Sequence, residues 1–389
     1  MLRVLSLLFG AWLLLLGGPM ASANAQTPKC RSCQEQGTVP CSKHGKLLPA
    51  EQGVLACSVA MECKACLGAL QVDCKHCESP EREASLADRQ RLLQEWLQQR
   101  RQQVDALTGR DPYGHLRTAH FDLASTLKGA TVGTDKLDPH ARLHLYGQRL
   151  EALFTLFTET LQLPAEDLPD RMLICLSEEA RDHGVIGPRL TGMGGPNSVG
   201  LKLMGPTYVF SMWPERRSLP NDEAVHRYVV HNVTHLLLSM SKPALYLGNK
   251  KHGWLDEGVA HWFEDKVTEK CTTYCYEEIA LQAGAGWKGG KWRPAVRRLV
   301  DAGEAATFAA LSGKHSDELL FVDHALAFAY VDFLLAERGG AKFRDFLRAV
   351  KGGAETRDAL PAAFGFTPLS IDAEFQSWVK RTYSPLPPR

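Results

Sequence analysis

Between Val229 and Leu238 the chain is mostly apolar (Val229, Val230, Val233, Leu236, Leu237, Leu238), yet His231 and His235 stand inside that run. A helix with apolar side chains all round is buried, so the pattern predicts a core helix over 221–240. One helical turn separates the two imidazoles, which therefore leave the same face and can hold one metal ion. His226 lies five residues before His231, about 140° away round a helix, and is excluded from that set. A second apolar helical stretch follows at 253–268. It reads Gly253-Trp254-Leu255-Asp256-Glu257-Gly258-Val259-Ala260-His261-Trp262-Phe263-Glu264, with Glu257 22 residues after His235.

These two segments resemble the gluzincin, or thermolysin-like, zinc peptidases, in which an H-E-x-x-H helix is followed by a W-L-x-E-G-x-A helix. Bacterial exported proteins with a peptidase-MA-like domain are similar in particular. The likeness spans about 118–383, with its motifs confined to 226–264. Carried over position by position, it implies that His231, His235 and Glu257 bind zinc, with a fourth position left for water. His261, one turn beyond Glu257, is expected beside a ligand in a supporting role. Tyr330, in the apolar helix Asp323 to Tyr330, stands only roughly where the family places an oxyanion-supporting Tyr, and a Tyr on a helix this apolar is more often a core residue.

The chain departs from the family at Asn232, where the general-base glutamate belongs. An amide has no basic site near neutral pH, and loss of a general base costs about 10²–10⁴ in rate. The expected function is thus an exported zinc-binding peptidase homologue with impaired or absent proteolysis. Two alternatives stay open. The chain could be an active zinc peptidase using another base, with Glu223, Asp256 or His324 conceivable, or a protein-interaction module acting through its cysteine-rich segment. A peptide or protein is the expected ligand, paired by β-addition to an edge strand around 205–212. With 45 basic against 44 acidic residues, net charge +1, no nucleic-acid partner is implied.

Eight of the 11 cysteines lie between Cys30 and Cys77. Cys30-x2-Cys33-x7-Cys41-x2-His44 recurs 33 residues later as Cys63-x2-Cys66-x7-Cys74-x2-Cys77. Each unit is expected to close its own structural zinc site, one with three thiolates and an imidazole, one with four thiolates. The rival reading is a disulfide framework. The repeat also resembles, loosely, the cysteine-rich zinc region of J-protein chaperones, keeping one glycine of each expected pair (Gly37, Gly68), with Glu35 and Leu70 at the others. That implies a zinc hairpin. Cys57 fits neither unit, Cys175 is expected as an apolar filler in a strand, and Cys271 and Cys275 receive no role.

Residues 1–25 carry Arg3, an apolar run from Val4 to Leu16, and a small-residue site ending Ala23-Asn24-Ala25. This is the form of a Sec-type signal cut after Ala25, predicting a periplasmic or secreted protein without a stable membrane span. The expected organisation is therefore signal 1–25, cysteine-rich double zinc knuckle 26–80, helical linker 81–112 (mostly solvated), peptidase-MA-like domain 113–383 and loose tail 384–389. Strands at 119–123, 172–176 and 208–210 surround a helix at 140–161. Helices at 221–240, 253–268, 318–337, 340–351 and 370–382 come afterwards. The fold class is α+β: a small mixed sheet followed by helices, preceded by a zinc-ribbon-like segment and a linking helix. In all, three zinc ions are expected.

Overall fold

A continuous apolar run suits a strand covered on both faces, and Met172–Leu176 occupies such a place, buried at all five residues. The computed structural model describes residues 30–33, 37–44, 53–76, 80–109, 113–169, 171–193, 198–203, 208–275 and 290–385. The signal-like segment 1–25, Glu35, Cys77 and residues 386–389 of the tail lie outside them. The strands are β1 (Thr38–Pro40), β2 (Ala56–Cys57), β3 (Gln71–Asp73), β4 (Gly114–Arg117), β5 (Phe121–Ser125), β6 (Ala130–Val132), β7 (Asp135–Leu137), β8 (Met172–Leu176), β9 (Gly200–Leu203) and β10 (Val209–Met212). Six of them form one mixed sheet in the order β2-β4-β5-β8-β10-β9. Within it, β5, β8 and β10 run parallel and the outer strands antiparallel. The pairs β1–β3 and β6–β7 stand apart.

The longer helices are α1 (Pro80–Arg100), α2 (Pro139–Leu161), α3 (Ala180–Thr191), α4 (Asp222–Met240), α5 (Gly253–Thr268), α6 (Trp292–Ala302), α7 (Phe321–Arg338), α8 (Gly340–Lys351), α9 (Thr356–Phe364) and α10 (Ile371–Thr382). Strand alternation divides the core. Leu123, Ile174 and Phe210 join the large helical core, while Ala124, Leu173, Cys175 and Val209 face Val104 and Ile186 on the other side of the sheet. The result is the expected α+β architecture, with α3, α6 and α9 in addition to the expected helices.

Three expectations are corrected. The strand expected at 119–123 begins two residues later, because Thr118 N–H donates to Phe121 O (2.9 Å) and turns the chain between β4 and β5. The strand β10 is internal, so the edge expected around 205–212 belongs instead to β9. The linking helix is not a solvated rod: Leu86, Leu93, Trp96 and Leu97 bury against Ala56, Met61 and Ala69. Trp96 Nε1 also donates to Asp122 Oδ1 (3.2 Å). Moreover, β2 pairs with β4, so the cysteine-rich segment supplies the end strand of the main sheet.

Helix α4 starts where Asn221 Oδ1 accepts from Ala224 N–H (2.9 Å), with Asp222 and Glu223 favourably placed in its first turn. At its other end the Lys351 ammonium, from α8, donates to the carbonyls of Leu238, Ser239 and Ser241, which have no intrahelical partner at a helix end. Helix α5 packs against both α4 and α7. Its contact with α7 is backbone-close: a Cβ on Gly258 would sit 2.7 Å from Ala327 O. Alanine is the better helix former by about 1 kcal/mol, but this carbonyl is held in its own helix and overpacking costs about 1–3 kcal/mol. Gly258→Ala should therefore lower stability, and Gly258→Val more so, read as a fall in the urea midpoint with an unchanged slope. A midpoint at or above the parent's would contradict the close approach.

Candidate metal centre

Helix α4 presents His231 and His235 on one face, and α5 presents Glu257, His261 and Glu264 on one of its own. All five are buried. His231 Nε2 lies 3.1 Å from His235 Nε2. Glu257 Oε2 is 3.6 Å from His231 Nε2, and Glu257 Oε1 is 3.4 Å from His235 Nε2. On the far side of each ring stands a carboxylate: Glu264 Oε2 is 3.1 Å from His231 Nδ1, and Asp256 Oδ2 is 3.1 Å from His235 Nδ1.

Glu264 decides the tautomer of His231: an ionised carboxylate only accepts, so that ring carries a proton on Nδ1. Asp256 faces His235 Nδ1 as a charge at 3.1 Å, without hydrogen-bond geometry. The two Nε2 atoms face one another and the Glu257 oxygens, an arrangement that requires a cation or protons between them. Without a metal, burial resists charge on His231, but Cys275, Glu257 and Glu264 outweigh it and raise its pKa to about 10. The donor set fits zinc, whose ligand bonds of about 2.0–2.1 Å imply tetrahedral N/O edges of about 3.3 Å. Carboxylates on the outer nitrogens are the usual means of orienting metal-binding histidines.

A fourth group faces the same point. Cys275 Sγ lies 3.9 Å from His235 Nε2, and ligand atoms of His231, His235, Glu257 and Cys275 all fall within 4.8 Å of one another. Lys202, from the end strand β9, donates both to Cys275 Sγ (3.0 Å) and to Asn232 Oδ1 (3.2 Å). The Asn232 amide NH2 in turn donates to Tyr228 O (2.9 Å). Burial opposes ionisation of Cys275, but the Lys202 ammonium and the two imidazoles outweigh it and bring the thiol down to about 5.

Of the remaining residues considered from the sequence, His261 and His324 stand beside Glu257, each 3.8 Å from its Oε2, and Glu223 and Tyr330 lie elsewhere. His261 Nδ1 is 3.1 Å from Glu264 Oε2, and its Nε2 is 3.1 Å from His324 Nδ1. His324 Nδ1 lies 3.8 Å from Glu257 Oε2, in surroundings that depress its pKa to about 3 through burial. Asp256 is turned to His235. Glu223 sits at the surface, accepting from Arg227 (2.7 Å) and Lys270 (2.9 Å). Tyr330 is corrected: its hydroxyl donates to Asp372 Oδ1 (2.5 Å) and its ring stacks on Phe375 at 3.9 Å, so it is a core residue joining α7 to α10. Cys175 is buried in β8. Cys271 Sγ donates to His261 O (3.3 Å).

The cysteine-rich segment is corrected in its grouping. The sets that converge are Cys30, Cys33 and Cys74, and Cys41, Cys63 and Cys66, so each draws on both sequence units. Antiparallel pairing of β1 with β3 is the reason: it brings Cys74 N–H to Gly37 O (2.9 Å) and Cys41 N–H to Leu70 O (2.9 Å). The two cysteines that follow these strands thus end up at opposite ends of the ribbon. Cys30 Sγ and Cys74 Sγ are 3.8 Å apart, Cys41 Sγ and Cys63 Sγ 4.0 Å. A disulfide needs about 2.05 Å, whereas Zn–S bonds of about 2.3 Å give a tetrahedral edge of about 3.8 Å. The side chain of His44, like Cys77, lies outside the described residues. Cys57, in β2, meets His144 Nε2 (3.4 Å) and His140 Nδ1 (4.0 Å) on α2.

Cys275, Lys202 and Glu264 are the residues sequence reasoning missed, and Asp256, considered there as a base, stands instead behind His235. Only Glu264 left a signal, since seven residues from Glu257 is two helical turns on the same face. It also anchors the segment leading to Cys275, with its Oε1 accepting from Thr272 N (2.8 Å), Thr273 N (3.0 Å) and Thr273 Oγ1 (2.9 Å). Glu264→Ala should cost about 3–5 kcal/mol, the scale for breaking a buried charged network. Glu223→Ala, losing an exposed pair, should cost under about 1 kcal/mol. Chemical denaturation of both variants checks this, and equal losses would contradict the assignment.

The solved structure of the M1 zinc metallopeptidase from Deinococcus radiodurans is similar to this chain with a TM-score of 0.33 and 14% identity, covering 70% of this chain. This chain spans about half the length of that one, 51%. No family profile and no curated protein matches.

Proposed function

We propose that the chain is an exported, zinc-binding relative of the gluzincin peptidases that binds a peptide or protein without cutting it. Zinc would be held by His231, His235 and Glu257, the groups whose lone pairs converge between α4 and α5. With a fourth position open, zinc held there would polarise a carbonyl and acidify water. The chain's own residues then determine whether that chemistry can proceed.

The observation that carries the non-hydrolytic reading is the pairing of Asn232 with Lys202. A hydrolytic site needs a proton acceptor at this position. Here the amide oxygen accepts from an ammonium and the amide NH2 is bound to Tyr228 O, so no proton can be taken up or passed on. None of the alternative bases replaces it: Asp256 serves His235, Glu223 is at the surface, and His324 is engaged with His261.

Two further zinc ions would occupy the regrouped cysteine sets, where closed thiolate sites stabilise a segment too small for a large core. Export rests on the signal form of residues 1–25, and among the described residues no helix is long and apolar enough to cross a membrane. The peptide would lie along β9, the end strand of the sheet that also carries Lys202 to the centre, adding a strand to it.

Metal analysis of the purified chain tests this reading. His231→Ala and Glu257→Ala should each release one ion while the cysteine-bound ions remain, and no peptide in a mixed library should be cut. Chelator-sensitive cleavage abolished by His235→Ala would overturn the non-hydrolytic reading. Unchanged metal content in His231→Ala would overturn the site itself.

A further inference from the structure

The geometry points to Cys275 as a fourth, thiolate ligand that closes the His231/His235/Glu257 zinc site, with Lys202 holding both that thiolate and Asn232. The inference rests on the metal reading above and adds what fills the position that a hydrolytic zinc leaves for water.

Distance is the first support. A zinc with one sulfur ligand has S–N edges of about 3.6 Å, from bonds of about 2.3 and 2.0–2.1 Å. The Cys275 Sγ to His235 Nε2 separation is 3.9 Å, and Sγ falls within the same 4.8 Å group as the other three donors.

Delivery is the second. The segment carrying Cys275 has a fixed course: Cys271 N–H donates to Gly290 O (2.9 Å), and Thr272 and Thr273 are bound by Glu264 Oε1. Since the other oxygen of Glu264 orients His231, one carboxylate sets both an imidazole ligand and the approach of the thiolate.

Charge is the third. Zinc with two neutral imidazoles, one carboxylate and one thiolate is neutral overall, which suits a site this buried. Lys202 lies 3.0 Å from Sγ and 3.2 Å from the Asn232 amide oxygen. A glutamate at 232 would take that ammonium as its own partner and place a second anion beside the sulfur. Asparagine at 232 and cysteine at 275 therefore belong together: one removes the base, the other occupies the place of the water the base would serve.

Cobalt substituted for zinc in the full chain gives the test, with Cys275→Ser and His231→Ala as variants. Subtracting the Cys275→Ser spectrum from the parent's should leave a sulfur-to-cobalt charge-transfer band at unchanged ion count. The serine variant should also surrender that ion to a chelator at least about tenfold faster, the lower end of what loss of even an outer partner costs. A flat difference spectrum at unchanged ion count overturns the thiolate ligand and leaves the three-residue site standing. An unchanged ion count in His231→Ala overturns the site and this inference with it. If Cys275→Ser does not fold, iodoacetamide labelling of the parent decides: zinc should shield Cys275 and a chelator unmask it, whereas equal labelling in both states overturns the ligand.

Discussion

Two imidazole nitrogens facing each other 3.1 Å apart are the constraint on which the interior is arranged. The contact needs a proton or a cation between them, and a protein core offers no water to supply one. The arrangement persists because a buried carboxylate stands behind each ring, Glu264 hydrogen-bonded to His231 and Asp256 facing His235, and because Glu257 completes a pocket that favours positive charge. The helices must be fixed in both register and separation for this to hold. Gly258 allows α7 to approach α5 at backbone distance, Gly253 does the same against the His315 carbonyl, and Lys351 binds the end of α4. These residues touch no ligand, yet they set where the ligands meet.

Electrostatics ties the remaining polar groups to that constraint. Asp256, Glu257 and Glu264 are all essentially inaccessible to water, and Lys202 is the side-chain ammonium that reaches the cluster. Three buried carboxylates outnumber that one ammonium, so without a metal the imidazoles must take up protons to offset them, which is why the His231 pKa is raised; an unpaired buried charge would be strongly destabilising. A dication offsets most of that negative charge instead. Because Lys202 meets an amide rather than a carboxylate at position 232, its ammonium also serves the Cys275 sulfur.

Much of this was legible from the chain alone. The helices at 222–240 and 253–268 announce themselves through their apolar content, and the His231/His235 spacing and the Glu257 motif lie on those regular elements. What escaped detection lies where no period exists. Cys275 is carried by an irregular segment and Lys202 by a four-residue strand, so nothing in their neighbourhoods indicates which way they face. The cysteine sets were misgrouped for a related reason: spacing identifies the knuckles, but only the antiparallel pairing of β1 with β3 decides which knuckles meet. Tyr330 shows the converse error, since a tyrosine at a suggestive position on an apolar helix finds its partner in the core, at Asp372.

The cysteine-rich segment and the helical centre are connected more directly than a linker would allow. The pairing of β2 with β4 makes it part of the main sheet, and Cys57 meets the histidines of α2. Helix α1 then packs its apolar side over Ala56, Met61 and Ala69, and Trp96 binds Asp122 in β5. The six-stranded sheet thus runs from β2, which carries Cys57, to β9, which carries Lys202 to Cys275.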